Sequence, residues 1–170
     1  DISATRLQHI RKAFEANERY FLELHGLMHL IHTYAAEKGI ALPEAERGKV
    51  YVALTSNKRF YGTLNSDVMM MMYEAASKDA EAECVVIGQT GRQIAERSPK
   101  LAKLTIQKFL TFEKDEPTDD EIVTAIDSLT EYKEVVVVHP TFINAFTQDP
   151  KVTDLTHVPH TEEEKAETLE

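Results

Sequence analysis

Five consecutive apolar residues, Val50-Tyr51-Val52-Ala53-Leu54, are followed at once by five polar ones, Thr55-Ser56-Asn57-Lys58-Arg59. No other feature constrains the fold as much. An unbroken run of strand formers, without polar alternation, suits a strand buried on both faces. Its abrupt end places the polar residues in a loop at the strand's carboxyl end. Asn65 or Ser66 is then placed to cap a helix, because a short side-chain oxygen accepts an orphan amide of the first turn. Residues 67–77 carry Val68, Met71, Met72 and Ala75 at helical spacing. Strand, loop and helix make half of a βαβ unit.

Further elements alternate in the same way. Residues 82–88, AECVVIG, read as a second buried strand, and 89–97, QTGRQIAER, as a turn and short helix stopped by Pro99. Residues 101–112 give a third strand with Leu104, Ile106 and Leu110 facing one way. Residues 118–132 predict an amphipathic helix, capped by Thr118, with acids in the first turn where the helix dipole favours them. Its Ile122, Val123, Ile126 and Leu129 share a side. Residues 134–139, EVVVVH, make a fourth strand, and 141–158 hold another strand-like run before Pro150 and a short closing segment. This order predicts an α/β domain over 49–158, with a largely parallel sheet and helices on its faces.

Before that domain, residues 1–39 predict one long helix that Gly39 ends, and 40–48 a linker with Pro43. Leu7, Ile10, Phe14, Asn17, Phe21, Leu24, Met28 and Ile31 recur at alternating spacings of 3 and 4. That is a heptad seam, interrupted once by Asn17, a kind of residue that fixes register and partner number in coiled coils. One reading lays this helix on the domain's own sheet. Continued to Ala35, the seam is about 42 Å long, more than the width of a small sheet, which favours a helix that projects and pairs with another. His25, His29 and His32 lie along one face of it, but no cysteine or carboxylate pair completes a metal set. They read as exposed histidines.

Charge narrows the function classes. Twenty-nine acidic residues against 19 basic give a net charge of −10, with acidic runs at 113–121 and in the polar tail, 159–170. Nucleic-acid binders display basic faces, so this balance argues against that role. No apolar run approaches the roughly 18 residues needed to cross a bilayer, and the opening DISATRLQHI lacks the apolar core of a signal peptide. The single cysteine, Cys84, sits in a strand-like run and reads as a small buried hydrophobe.

Ligands of α/β sheets bind at the carboxyl ends of the strands. Here those ends offer residues 55–65, 88–91 and 139–144. GQTGRQ matches neither GxxxxGK[ST] nor GxGxxG, and Ser56 has no GxSxG elbow. His139 could serve as a general base, but it reads better as a structural histidine at a strand end. The residues therefore predict no catalytic group, no cofactor and no metal.

Three blocks, in order, carry a resemblance: TSNKRFYGTLNSDV, VVIGQTGRQIAE and EVVVVHPTFINAFTQDPKVTDL. Together they resemble the gamma subunit of the rotary ATP synthase over about residues 49–158, most specifically through Phe142-Ile143-Asn144, Gln148, Pro150 and Leu155. The resemblance implies a Rossmann-like domain between two long helices that coil into a central shaft. It implies a non-catalytic rotor component coupling a membrane ring to a catalytic head, within a complex held peripherally at a membrane. The partners implied are the alpha/beta head, the epsilon-type subunit and the ring's polar loops. Asn57, Lys58, Arg59, Tyr61 and Asn65, with Asn144, Gln148 and Pro150, are then the expected contacts.

Two features depart from the family pattern. The family's Gly-Leu-Cys-Gly-Gly is replaced by Arg59-Phe60-Tyr61-Gly62-Thr63, which removes the room that glycine gives a close neighbour. The sequence also stops about where the second shaft helix should begin, as expected of a fragment or of a diverged relative. A stand-alone relative would be an interaction module that forms a homodimer through the seam.

Overall fold

The computed structural model describes residues 5, 8, 12, 33–35, 37–40, 45–58, 62–113, 117–144 and 147–156. These fall into two compact units, one up to Ile40 and one from Ala45. In the first, residues 33–35 and 37–38 are helical. Gly39 ends the helix at φ 64°, and the Ile40 amide returns to the Ala35 carbonyl at 2.9 Å. That bond and the left-handed glycine form a Schellman stop. The seam residues Leu7, Ile10, Phe14, Asn17, Phe21, Leu24, Met28 and Ile31 lie outside the described residues, as do His25, His29 and His32.

The second unit is a five-stranded mixed sheet with helices on its faces. Its elements are β1 (Arg47–Leu54), α1 (Leu64–Ala76), β2 (Glu83–Ile87), α2 (Gln89–Arg97), β3 (Ile106–Leu110), α3 (Asp119–Asp127), β4 (Tyr132–Asn144) and β5 (Thr147–Asp154). The order across the sheet is β3-β2-β1-β4-β5, parallel except for the antiparallel edge pair β4–β5. Right-handed crossovers place α1 and α2 on one face and α3, on the return connection, on the other. Val68, Met69 and Met72 of α1 pack there against Tyr51, Ala53, Val136 and Val138. The opposite face buries Val50, Val52, Val85 and Val135, with Leu129 beside them. The valine runs lack polar alternation because both faces are covered.

Several local expectations change. Helix α1 begins at Leu64 with Thr63 as N-cap and no side-chain cap, so neither Asn65 nor Ser66 caps it. Its buried stripe is Leu64, Asn65, Val68, Met69, Met72 and Ala76, with Met71 and Ala75 only partly buried. In place of a strand from 101, Leu101–Lys103 forms a 3-10 turn. A register shift between Cys84 and Val85 then skips one residue of β3. Such a bulge reverses side-chain parity, so Phe109 shares Ile106's face and Leu110 turns to the other. Helix α3 stops at Asp127, shorter than expected, and Thr118 caps it through a reciprocal box with Glu121. Strand β4 runs on through Pro140, which stands opposite Pro150. Neither proline can donate, and β4 has already left β1 after Val138. Proline is tolerated there because no ladder bond to β1 is required.

At the amino ends of the strands Glu83 gathers three neighbours. It accepts from Arg47, from the Tyr132 hydroxyl at 2.6 Å and from Gln107 at 3.2 Å, while Arg47 stacks on the Tyr132 ring 4.7 Å from its centroid. The Arg47 hydrogen bond, chiefly, holds the Glu83 carboxyl below its ordinary value of 4.5. A depressed folded pKa adds stability above the unfolded value, and that stability is lost as pH falls through the folded one. Glu83→Gln should therefore cost about 1 kcal/mol at neutral pH, allowing for partial exposure. It should also flatten the loss of stability on acidification. Urea midpoints across that pH range test this, and identical acid limbs in both proteins would exclude Glu83 as a contributor.

Candidate functional site

The loop after β1 is built from side chains that bond other loops. Thr55 is buried; its hydroxyl donates to the Ile87 carbonyl at 2.7 Å and accepts the Gly91 amide at 3.0 Å. The Ser56 amide donates to Asn65 Oδ1 at 2.9 Å, and Asn65 Nδ2 donates to Ser56 Oγ at 2.9 Å. Asn57 accepts the Gln89 amide at 3.1 Å and donates to the Phe112 carbonyl at 3.2 Å. The Lys58 carbonyl accepts from Ser56 Oγ and from Thr90 Oγ1. The carboxyl ends of β1, β2 and β3 and the start of α1 are thereby tied to four consecutive residues.

The glycines of GQTG serve this packing. Gly88 has φ 107°, and a Cβ on it would stand 2.3 Å from the Thr55 carbonyl oxygen. A Cβ on Gly91 would stand 2.5 Å from Thr55 Oγ1 and 2.8 Å from Val86 Cγ1. The first amides of α2 are consequently engaged inside the chain: Gln89 to Asn57, Thr90 to the Ser56 carbonyl at 3.0 Å, and Gly91 to Thr55. Those donors would otherwise cradle a phosphate. Thr55 and the two glycines were not singled out as functional from the sequence. The signal that could have found them is a hydroxyl residue ending one buried strand and a GxxG turn ending the next.

Between β1 and β4 the connections leave in opposite directions, which makes this the topological switch point. A cavity of about 250 Å³ opens there, lined by Leu54, Thr55, Ser56, Leu64, Asn65, Pro140 and Gln148. It brings together two expected contacts, Asn65 of the first loop and Gln148 of the β4–β5 hairpin. Asn65 is 6% exposed and spends its amide on Ser56. Lys58 and Gln148 are exposed, and Pro150 is half-buried beside Pro140. Asn57 is half-buried and turned toward β2 and β3. The Asn144 backbone pairs with Thr147. Arg59 and Tyr61 lie outside the described residues.

His139 lies on β4, with Nδ1 3.1 Å from the Pro140 carbonyl and Nε2 2.9 Å from Thr153 Oγ1. A carbonyl only accepts, so Nδ1 carries the proton and Nε2 accepts from Thr153. Nε2 thus ties β4 to β5, while Nδ1 is spent on the adjoining backbone of β4 itself. Cys84 is fully buried, and burial pushes its thiol up to about 12, which keeps it protonated and unreactive. Among the described residues no three metal-ligating side chains gather, and no helix is long and apolar enough to cross a membrane.

A family model described as ATP synthase, that of the gamma subunit, matches residues 1–170. The chain belongs to the ATP synthase gamma-subunit family. It is 25% identical to the ATP synthase gamma chain of Clostridium novyi (strain NT), over 98% of this chain and 59% of that relative. The gamma-family sequence in hand thus spans less than two thirds of that relative's length. Among solved structures it is similar to a chain of the Euglena gracilis mitochondrial ATP synthase rotor, at 12% identity and a TM-score of 0.49. That similarity covers 92% of this chain and 64% of the other. A chain of the Tetrahymena thermophila mitochondrial ATP synthase central stalk and c-ring is similar at 16% identity and a TM-score of 0.48. It covers 67% of this chain and 51% of that one.

Proposed function

We propose that this chain acts as a gamma-type central-stalk subunit, a non-catalytic rotor component of proton-driven ATP synthesis. The family match across residues 1–170 carries the reading. The site supports it in kind, because the amides at the amino end of α2 are closed by Asn57, Ser56 and Thr55 and leave no phosphate cradle. Nucleotide chemistry then belongs to other subunits, and this chain needs no cofactor. Its partners are the alpha/beta head, an epsilon-type subunit and the membrane ring, and it is held peripherally at the membrane through them.

In this reading the Rossmann-like sheet is a rigid mount. Lys58, Arg59 and Tyr61 on the first loop, with Asn144, Gln148 and Pro150 on the hairpin, meet neighbouring subunits. Asn57 and Asn65 hold the first loop in shape from behind. The seam from Leu7 to Ile31 pairs with a second shaft helix.

The test is the solution mass of the chain alone and after mixing with a catalytic head and an epsilon-type subunit. A complex is expected, and Lys58→Glu should weaken it roughly tenfold, mostly at low salt, as for a rim charge. A chain that ignores both partners would overturn the stalk reading. Assembly unaffected by Lys58→Glu would remove the first loop from the interface.

A further inference from the structure

Helix α3 wears its apolar side outward. Ile122, Val123 and Ile126 are 40%, 54% and 54% exposed, and only Ala125 of the helix is buried. These three sit at i, i+1 and i+4, so they form one short stripe on the surface. Aliphatic residues clustered in this way, rather than scattered singly, mark an interaction surface.

The charges around the stripe identify what fits it. The nine residues of α3 hold Asp119, Asp120, Glu121 and Asp127 and no basic residue. Asp119 and Glu121 suit the first turn, where the dipole favours anions. Asp127 is in the last turn, where it is disfavoured, and no basic side chain there offsets it. A local choice that opposes helix stability points to a use elsewhere. Cations brought by a partner would satisfy Asp127 at one end of the stripe and Asp119 and Asp120 at the other.

We propose that the outward face of α3 docks a lysine- or arginine-rich amphipathic helix of a partner protein, its aliphatic residues on Ile122, Val123 and Ile126. A second copy of this chain fits poorly, since it brings the same carboxylates and a net charge of −10. An anionic lipid surface is repelled for the same reason.

The test titrates the purified chain with a short leucine–lysine peptide whose leucines follow helical spacing, read by fluorescence anisotropy. A serine–lysine peptide of equal charge and vesicles of anionic phospholipid serve as comparisons. Saturable one-to-one binding of the leucine peptide alone is expected. Ile122→Ser with Ile126→Ser should weaken it roughly tenfold or more, and Asp127→Asn a few-fold, the latter only at low salt. Isoleucine methyl shifts of the unaltered chain provide a readout that needs no variant, with Ile122 and Ile126 expected to move first. Equal binding of the serine peptide would overturn the proposal, as would methyl shifts elsewhere, a preference for vesicles, or no binding. None of these outcomes depends on the stalk assignment.

Discussion

Gly88→Ala should lower the unfolding free energy by about 4 kcal/mol, combining roughly 1–3 for a left-handed backbone and roughly 1–3 for overpacking. The added methyl would meet the Thr55 carbonyl oxygen at 2.3 Å and its carbon at 2.7 Å. These are backbone atoms, so they cannot swing aside as the end of a long side chain would. The same carbonyl belongs to the residue whose hydroxyl holds Ile87 and Gly91. Displacing it loosens the junction of β1, β2 and α2 together. Gly91→Ala should cost less, because it meets the Thr55 and Val86 side chains. Gly48→Ala should be close to neutral, since nothing lies within 4 Å. Urea denaturation of the three variants checks the order. A Gly88→Ala protein as stable as Gly48→Ala would show that the turn after β2 relaxes freely.

Asn65→Leu is the second large effect, at about 3 kcal/mol. Leucine keeps the branched shape and the number of heavy atoms in the buried stripe of α1 but removes two hydrogen bonds to Ser56. The Ser56 amide then loses its acceptor in a part-buried setting, and an unmade bond costs more than a made one contributes. The stability change is measured by denaturant melts. A second measurement isolates the cause: exchange of the Ser56 amide should accelerate well beyond that of the β1 core amides. If Ser56 exchange tracks global unfolding in both proteins, Asn65 is a packing residue and the clamp is wrong. Within the stalk reading, a loosened loop should also weaken the contact that Lys58 makes.

Both effects fall on residues whose importance was hard to read from the chain. Asn65 reads locally as a cap or a contact, because an asparagine before a helical run is a short-range signal. Its actual partner is Ser56, nine positions back, and the helix begins before it. GQTG matches no phosphate-loop pattern. What its glycines accommodate is Thr55, more than thirty residues away, a proximity that exists only once β1 and β2 pair. Helix α3 shows the same limit from the other side. Its apolar period was legible, yet that period could not say whether the stripe faces the sheet or the solvent.

The sequence by itself determined the element types and most of their order. Valine runs without polar alternation read correctly as strands covered on both faces. Thr118 with Glu121 marked a helix start, and Gly39 marked a stop; these depend on partners within one turn of the chain. The three ordered blocks also carried the family, which needs no coordinates. Only the tertiary structure decided the β3 bulge, the passage of β4 through Pro140, the crevice beside Asn65 and Gln148, and the closed amino end of α2. The physical reason is range. Backbone propensity and capping act over about four residues, whereas register, close approach and the pairing of buried polar atoms are set by segments that meet only after the chain has folded.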